Sequence, residues 1–216
     1  MILIPVKNLA NAKQRLAPVL DQPSRTELAR TMLHDVLGAI AAWSDHPACA
    51  IVTSDSFAVE IGKQFGCEII PDPVNPGETM AIQMATQICV ERGVGFTLVI
   101  PADIPLLCAG ELSEIMKNAP KEGSVLVPAA DGRGTNAVLR RPADLFPLKF
   151  GNDSFKPHLE AARSTGKDCV LLELPGIALD VDNPMDLRDL VARAGNTRAQ
   201  ALLRRWNISA VSAETE

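Results

Sequence analysis

Two aspartates carry the strongest chemical signal in this chain of 216 residues. Asp103 follows the apolar run Thr97-Leu98-Val99-Ile100 and sits in Pro101-Ala102-Asp103-Ile104-Pro105. Asp182 stands in a similar setting much later, within Leu179-Asp180-Val181-Asp182-Asn183-Pro184. A carboxylate released at a strand end is where an open α/β sheet holds a divalent metal over a ligand crevice. Magnesium suits such a pair, because it takes oxygen ligands and keeps water or substrate phosphate in the rest of its shell. A plainer reading makes Asp103 a turn residue ahead of Pro105 and Asp182-Asn183-Pro184 a helix cap.

Cations stand at another strand end. Lys7 through Leu16 reads Lys-Asn-Leu-Ala-Asn-Ala-Lys-Gln-Arg-Leu and follows the apolar run Ile2–Val6. Lys13 could meet a phosphate as a point charge and Arg15 as a bidentate fork. The segment has neither the Walker glycine-lysine pattern nor the dinucleotide fingerprint. Its alternative is a solvated basic turn. Metal carboxylates and phosphate-sized cations together point to chemistry on a nucleoside triphosphate.

Two further segments are candidates for ligand contact. Asn75-Pro76-Gly77-Glu78-Thr79 precedes a helical pattern, so glycine and the helix N-terminus offer N–H groups to an anion or a base edge, unless they merely cap the helix. In Gly134-Thr135-Asn136 and Phe150-Gly151-Asn152-Asp153-Ser154-Phe155-Lys156-Pro157-His158, the Thr135 and Ser154 hydroxyls and the Gly151 N–H could bind a small acid. Ser154 is expected to cap the following helix, whose N-terminus would face a carboxylate or phosphate. His158 reads as a surface or capping histidine rather than a catalytic one. No serine or cysteine relay is evident, so covalent catalysis lacks a nucleophile.

Short apolar runs alternate with helical patterns. Strands are expected at Ile2–Val6, Cys49–Thr53, Glu68–Ile70, Thr97–Ile100, Ser124–Pro128, Asn136–Leu139 and Val170–Leu174. Helices are expected at Ser24–Ala42, Phe57–Phe65, Glu78–Arg92, Ala109–Asn118, Phe155–Thr165, Pro184–Ala194 and Thr197–Trp206, from apolar residues at helical spacing. The alternation predicts an α/β fold with a mainly parallel sheet and right-handed crossovers. Asp131-Gly132-Arg133-Gly134 is expected to close a hairpin or a ligand loop. One domain over 1–206 and a frayed tail over 207–216 fit the length and the polar end.

Bulk properties narrow the classes. Hydrophobic content of 47% and charge of 22% fit a globular protein with a sizeable core. A net charge of -5 excludes the basic excess of a nucleic-acid binder, and an anionic substrate would need a local cationic pocket or a metal. No signal peptide or membrane span is evident, and five scattered cysteines without a Cys-x-x-Cys pair suggest core thiols in a reducing cytoplasm. Partners among nucleic acids and membranes are therefore not expected, and homo-oligomerisation stays open.

Ile4-Pro5-Val6-Lys7, Ala12-Lys13-Gln14-Arg15-Leu16, Pro101-Ala102-Asp103-Ile104-Pro105, Asp131-Gly132-Arg133-Gly134-Thr135-Asn136, Phe150-Gly151-x-x-Ser154-Phe155-x-x-His158 and Asp180-Val181-Asp182 occur in this order. Together, over roughly residues 1–192, they resemble the 2-phospho-L-lactate guanylyltransferase family, which includes phosphoenolpyruvate guanylyltransferases. The resemblance implies a three-layer, Rossmann-like nucleotidyltransferase fold with a mixed, mainly parallel central sheet. It implies joining of GTP to 2-phospho-L-lactate, phosphoenolpyruvate or 3-phosphoglycerate, with release of pyrophosphate, in coenzyme F-420 biosynthesis.

By the same resemblance Asp103 and Asp182 hold Mg²⁺, and Lys7, Lys13, Arg15, Gly77 and Thr79 bind the nucleotide. Thr135, Gly151 and Ser154 bind the acid, while Lys13, Arg15 and Asp103 act in catalysis. Gly77-Glu78-Thr79-Met80-Ala81 stands where the family pattern has a Gly-Leu-Asn-Ala-Ala-like segment, and Asn8 stands where it has a proline. The alternatives are a nucleotidyltransferase for a sugar phosphate or molybdopterin, and a nucleotide-binding module without turnover.

Overall fold

A computed structural model of the chain describes residues 1–74, 77–151 and 153–208. Asn75, Pro76 and Asn152, and the expected tail from residue 209 onward, lie outside the described residues. Seven strands form one sheet: β1 (Ile2–Pro5), β2 (Cys49–Thr53), β3 (Glu68–Pro71), β4 (Thr97–Val99), β5 (Gly123–Pro128), β6 (Thr135–Arg141) and β7 (Asp168–Leu171). Their order is β3-β2-β1-β4-β6-β5-β7. β6 runs antiparallel to both β4 and β5, and every other pairing is parallel. The fold is the expected mixed, mainly parallel sheet.

The order follows from the side chains. Ile2, Leu3 and Ile4 are all fully buried, as they must be in a strand covered on both faces. Period-two alternation sends Ile2 and Ile4 into one apolar layer and Leu3 into the other. The first layer packs against α1 (Gln22–Ala41), α2 (Ser56–Gln64) and α4 (Ala109–Asn118). The second packs against α3 (Glu78–Glu91) and α5 (Phe155–Ser164). Each fully buried leucine or isoleucine contributes about 1.5–3 kcal/mol of transfer free energy, so three layers hold the sheet edge rigid under the site. Among the described residues no helix is long and apolar enough to cross a membrane.

Differences from the sequence reading lie at element ends. α1 starts two residues early, because Asp21 accepts a hydrogen bond from the Ser24 N–H at 2.9 Å and Pro23 fits the first turn. β7 occupies Asp168–Leu171 instead of Val170–Leu174, and a one-turn helix, α6 (Pro175–Ala178), follows it. β7 begins where Asp168 pairs with Gly123, and only glycine fits there: a Cβ on residue 123 would come within 2.2 Å of the Asp168 carbonyl oxygen. α7 (Pro184–Ala192) and α8 (Arg198–Arg205) close a third apolar cluster over Leu28 and Met32 of α1. Asn207 and Ile208, expected to fray, donate N–H bonds back to the carbonyls of Arg204 and Leu203.

Candidate active site

β1 and β4 are adjacent and parallel, so their carboxyl ends release Lys7 and Asp103 to the same sheet edge. The chain after β1 folds through two short 3-10 turns, Leu9–Asn11 and Gln14–Leu16, pinned by buried Leu9 and Leu16. Between them Lys13 takes the left-handed conformation, with φ 56°, which costs a side-chain-bearing residue about 1 kcal/mol or more. That turn aims its ammonium inward.

Asp182 reaches Asp103 through the backbone: the Val181 N–H donates to the Asp103 carbonyl at 3.0 Å. The cap reading proposed for Asp182 belongs to its neighbour. Asn183 caps α7 in a reciprocal capping box with Asp186, which leaves the Asp182 carboxylate to point elsewhere.

The three side chains meet. Lys13 Nζ lies 2.5 Å from Asp103 Oδ2 and 2.9 Å from Asp182 Oδ1, and Arg15 Nη1 lies 3.4 Å from Asp182 Oδ2. Only 8% of the Lys13 side chain is exposed. Burial alone would lower the Lys13 pKa, but Asp103 and then Asp182 overrule it and raise it above the ordinary lysine value. Burial works the other way on Asp182, yet Lys13 and then Arg15 hold its carboxyl below the usual range. Two hard oxygen donors thus converge on one cationic atom, here the ammonium, at a spot that suits a small divalent ion. Among the described residues no three His, Cys, Asp or Glu side chains group as a metal site, so these two carboxylates are the donors that would hold an ion here.

Two more carboxylates join this centre. Burial raises Asp180 to about 6; the Asn136 hydrogen bond opposes this, while Asp103 and Asp182 add to it. Burial, then Asp103, raises Glu78 to about 7 despite Lys7 and Lys13 nearby. Sequence reasoning singled out neither as a site residue. Asp180 could have been found, since it stands two residues before Asp182 and period two along an extended segment puts both on one side. Glu78 had no local signal beyond its departure from the family pattern.

Two cavities flank the aspartates. One, of about 410 Å³, is lined by Lys7, Lys13, Glu78, Asp103 and Asp182 among others. The other, of about 320 Å³, is lined by Arg15, Arg133, Gly134, Gly151, Asp180 and Asp182 among others. Asp182 belongs to both walls. Lys7 and Lys13 therefore stand on the first side, and Arg15 stands on the second rather than with them.

Gly77 and Thr79 line neither cavity. The Thr79 hydroxyl accepts from the Phe150 N–H at 2.9 Å and faces the Phe150 carbonyl at 3.3 Å, so it ties the start of α3 to the segment behind the second cavity. Its one hydroxyl proton is directed at the protein, and it stands behind the second cavity instead of on the expected nucleotide wall.

The second cavity rests on a hairpin. Asp131-Gly132-Arg133-Gly134 joins antiparallel β5 and β6, with the Asp131 carboxylate accepting from the Arg133 and Gly134 N–H groups. A register shift between Val127 and Pro128 sits opposite Thr135, the kind of bulge that re-aims a side chain. Thr135 and Ser154 are both buried, and their hydroxyl oxygens are 3.3 Å apart. Ser154 does not cap α5 as expected; its hydroxyl turns to Thr135 instead. The N-terminus of α5 offers an anion little, because the Phe155 N–H donates to the Arg133 carbonyl at 2.8 Å, Pro157 has no N–H, and of the first three residues only Lys156 keeps an N–H without a partner among the described residues. The Lys149 and Phe150 N–H groups are held by His158 and Thr79, whereas the Gly151 N–H has no partner among the described residues. Gly151 has φ 143°, and nothing lies within 4 Å of where a Cβ would stand. His158 is not on the surface: it is buried.

A mainly parallel three-layer sheet with paired aspartates and buried lysine at its strand ends, between two cavities, defines a nucleotidyltransferase-type α/β protein. The backbone superposes on a structure from Desulfovibrio desulfuricans G20 described as a nucleotide-diphospho-sugar transferase, with a TM-score of 0.77, 20% identity and coverage of 96% of this chain and 97% of the other. A cytidylyltransferase from Leptospira borgpetersenii gives 0.58 at 12% identity, covering 95% and 94%. These likenesses establish the fold.

Sequence similarity is more specific. The family model described as guanylyl transferase CofC like matches residues 1–216, and the chain belongs to this family. It is 34% identical over 204 residues to a phosphoenolpyruvate guanylyltransferase of Roseiflexus castenholzii, covering 94% of this chain and 93% of the relative. It is 30% identical over 203 residues to a 2-phospho-L-lactate guanylyltransferase of Methanothermobacter thermautotrophicus, covering 94% and 89%.

Proposed function

We propose that this protein joins GTP to a small three-carbon phospho-acid, phosphoenolpyruvate or 2-phospho-L-lactate, in coenzyme F-420 biosynthesis. The observation that carries it is Asp182, which stands in the wall of both cavities. A group held there faces a nucleotide on one side and an acceptor on the other. Family membership supports the choice of guanine nucleotide and acid.

In this reading a phosphate oxygen of the acid attacks the α-phosphorus of GTP. A new P–O–P bridge forms, the bond from the α-phosphorus to the oxygen it shares with the β-phosphorus breaks, and pyrophosphate leaves with that oxygen and the electron pair. The attacking phosphate is already ionised at neutral pH, so no general base is required, and positioning with charge neutralisation does the work. Asp103 and Asp182 would hold Mg²⁺, which when bound neutralises phosphate charge as a Lewis acid. Lys7 and Lys13 line the nucleotide side and meet its phosphates. Arg15 lines the acid side and answers the acceptor's phosphate. Gly151 N–H, Thr135 and Ser154 orient the carboxylate. Gly77 gives α3 the tight start that lets Glu78 reach the nucleotide cavity.

The test is mass spectrometry of products from GTP and Mg²⁺ with phosphoenolpyruvate, 2-phospho-L-lactate or 3-phosphoglycerate, with pyrophosphate release measured in parallel. A guanylylated acid is the expected product. A chain that binds GTP but releases no pyrophosphate with any of the acids overturns the reading. The 320 Å³ of the second cavity favours a small acid over a molybdopterin.

A further inference from the structure

His158 lies outside every role assigned above, yet it is buried and bonded through both ring nitrogens. The Lys149 N–H donates to His158 Nε2 at 2.8 Å. A backbone N–H can only donate, so Nε2 must present its lone pair. Burial, then Arg140, lowers the His158 pKa to about 4, so the ring is neutral at pH 7 and its one proton sits on Nδ1. Nδ1 lies 3.0 Å from Thr135 Oγ1 and therefore donates to it.

This settles the hydrogen count of the hydroxyl pair. Thr135 and Ser154 share one hydrogen bond across 3.3 Å, which uses one of their two protons. With His158 donating, neither hydroxyl proton is spent on the ring. One O–H is left over, and among the described residues it has no acceptor. The opposite tautomer would make Nδ1 an acceptor, take that proton, and leave the pair with nothing to give.

We propose that His158 is a positioning residue, its tautomer set by the Lys149 amide, that keeps one hydroxyl proton of the Thr135–Ser154 pair free to donate to the carboxylate of the bound acid. The inference rests on the acid-binding reading of that pair and adds to it why a buried histidine stands behind it. Thr135 and Ser154 lie one residue behind the lining of the cavity in which the acid would lie: their chain neighbours Gly134 and Asp153 form part of its wall.

Two substitutions separate donation from mere support. The amide of Asn reaches the Nδ1 position and can donate to Thr135 but leaves the Lys149 N–H unmet. The amide of Gln reaches the Nε2 position and can accept from Lys149 but gives Thr135 nothing. His158→Asn should keep the KM for phosphoenolpyruvate or 2-phospho-L-lactate within about threefold, and His158→Gln should raise it about 10- to 100-fold with the KM for GTP unchanged, as expected for a lost hydrogen bond to a charged group.

The reverse order, or equal loss in both, overturns the proposal and leaves His158 a support for the Lys149 segment. A second measurement needs no turnover. Nitrogen-15 NMR of the free protein, labelled at its three histidines, should show one neutral ring protonated on Nδ1 and lost in His158→Gln. An Nε2-protonated or doubly protonated His158 at pH 7 overturns the proposal even if no variant folds. Absence of any guanylylated product with the expected NMR signal would instead count against the functional reading alone.

Discussion

The two walls that meet at Asp182 are built on opposite principles. The side proposed for the nucleotide is a charge cluster: Lys13 between Asp103 and Asp182, with Glu78 and Lys7 on the same cavity. The side proposed for the acid has a charged lining as well, with Arg15, Arg133, Asp153 and Asp180, but is backed by a neutral buried group, Thr135, Ser154 and His158, joined by hydrogen bonds. Charged groups lining a cavity can exchange one ionic partner for another, which suits the proposed entry of a metal and release of pyrophosphate. Buried neutral hydrogen bonds allow few alternatives, which suits a site that must fix an attack angle. On the proposed function, the contrast puts rate on one wall and acceptor affinity on the other.

The largest effect expected from breaking that contrast is at Asp103. Asp103→Asn should lower kcat by about a thousandfold, in keeping with several kcal/mol for a lost metal ligand, while the melting temperature stays within a few degrees. Near-parent turnover in Mg²⁺ would remove the metal assignment. Lys13→Met comes next, with kcat down about a hundredfold and a stability loss of about 1–3 kcal/mol at pH 7 from unpaired carboxylates. Because the Asp182 pKa is depressed, this loss should be complete above the unfolded carboxylate pKa and vanish as pH falls through the folded one. Thermal melts of parent and variant across acid pH check it; a pH-independent gap would mean that Lys13 stabilises by packing alone.

On the neutral wall the effect should move from rate to affinity. Ser154→Ala should raise the acid KM about tenfold and leave the KM for GTP unchanged. A fall in kcat without a change in either KM would erase the division between the walls.

The smallest effect is at Glu78, whose pKa is raised to about 7 chiefly by burial. A carboxyl pKa raised on folding means that the native state holds the proton more tightly, so stability should fall as pH rises from about 4.5 to about 7. Glu78→Gln should be equal to the parent at pH 4 and more stable by on the order of 1 kcal/mol at pH 8, measured by denaturant unfolding in the absence of metal. A variant no more stable at pH 8 would show that Lys7 and Lys13 already neutralise Glu78.

Much of the frame was legible in the residues. Cys49–Thr53 and Ala109–Asn118 take their expected bounds, because a fully buried strand and an amphipathic helix are written in local periodicity. Asp103 and Asp182 were legible too, since each follows a structural cue of its own. Thr79 and Ser154 were misread for one reason. Each looks like a residue at a helix start, and each is diverted by a partner far along the chain: Phe150 for Thr79, Thr135 for Ser154. The family motifs marked both positions but could not say which partners their hydroxyls take within the fold.

The sequence by itself determined the strands, the helices and the residue types that stand at the strand ends, because periodicity, strand-end carboxylates and hydroxyls are properties of short segments. Only the tertiary structure decided that Lys13 fills the space between Asp103 and Asp182, that Asp182 serves both cavities, and that His158 is buried against Thr135. Those pairings span up to 169 residues of chain, and hydrogen bonds of a few ångströms depend on where the packed layers bring distant loops together.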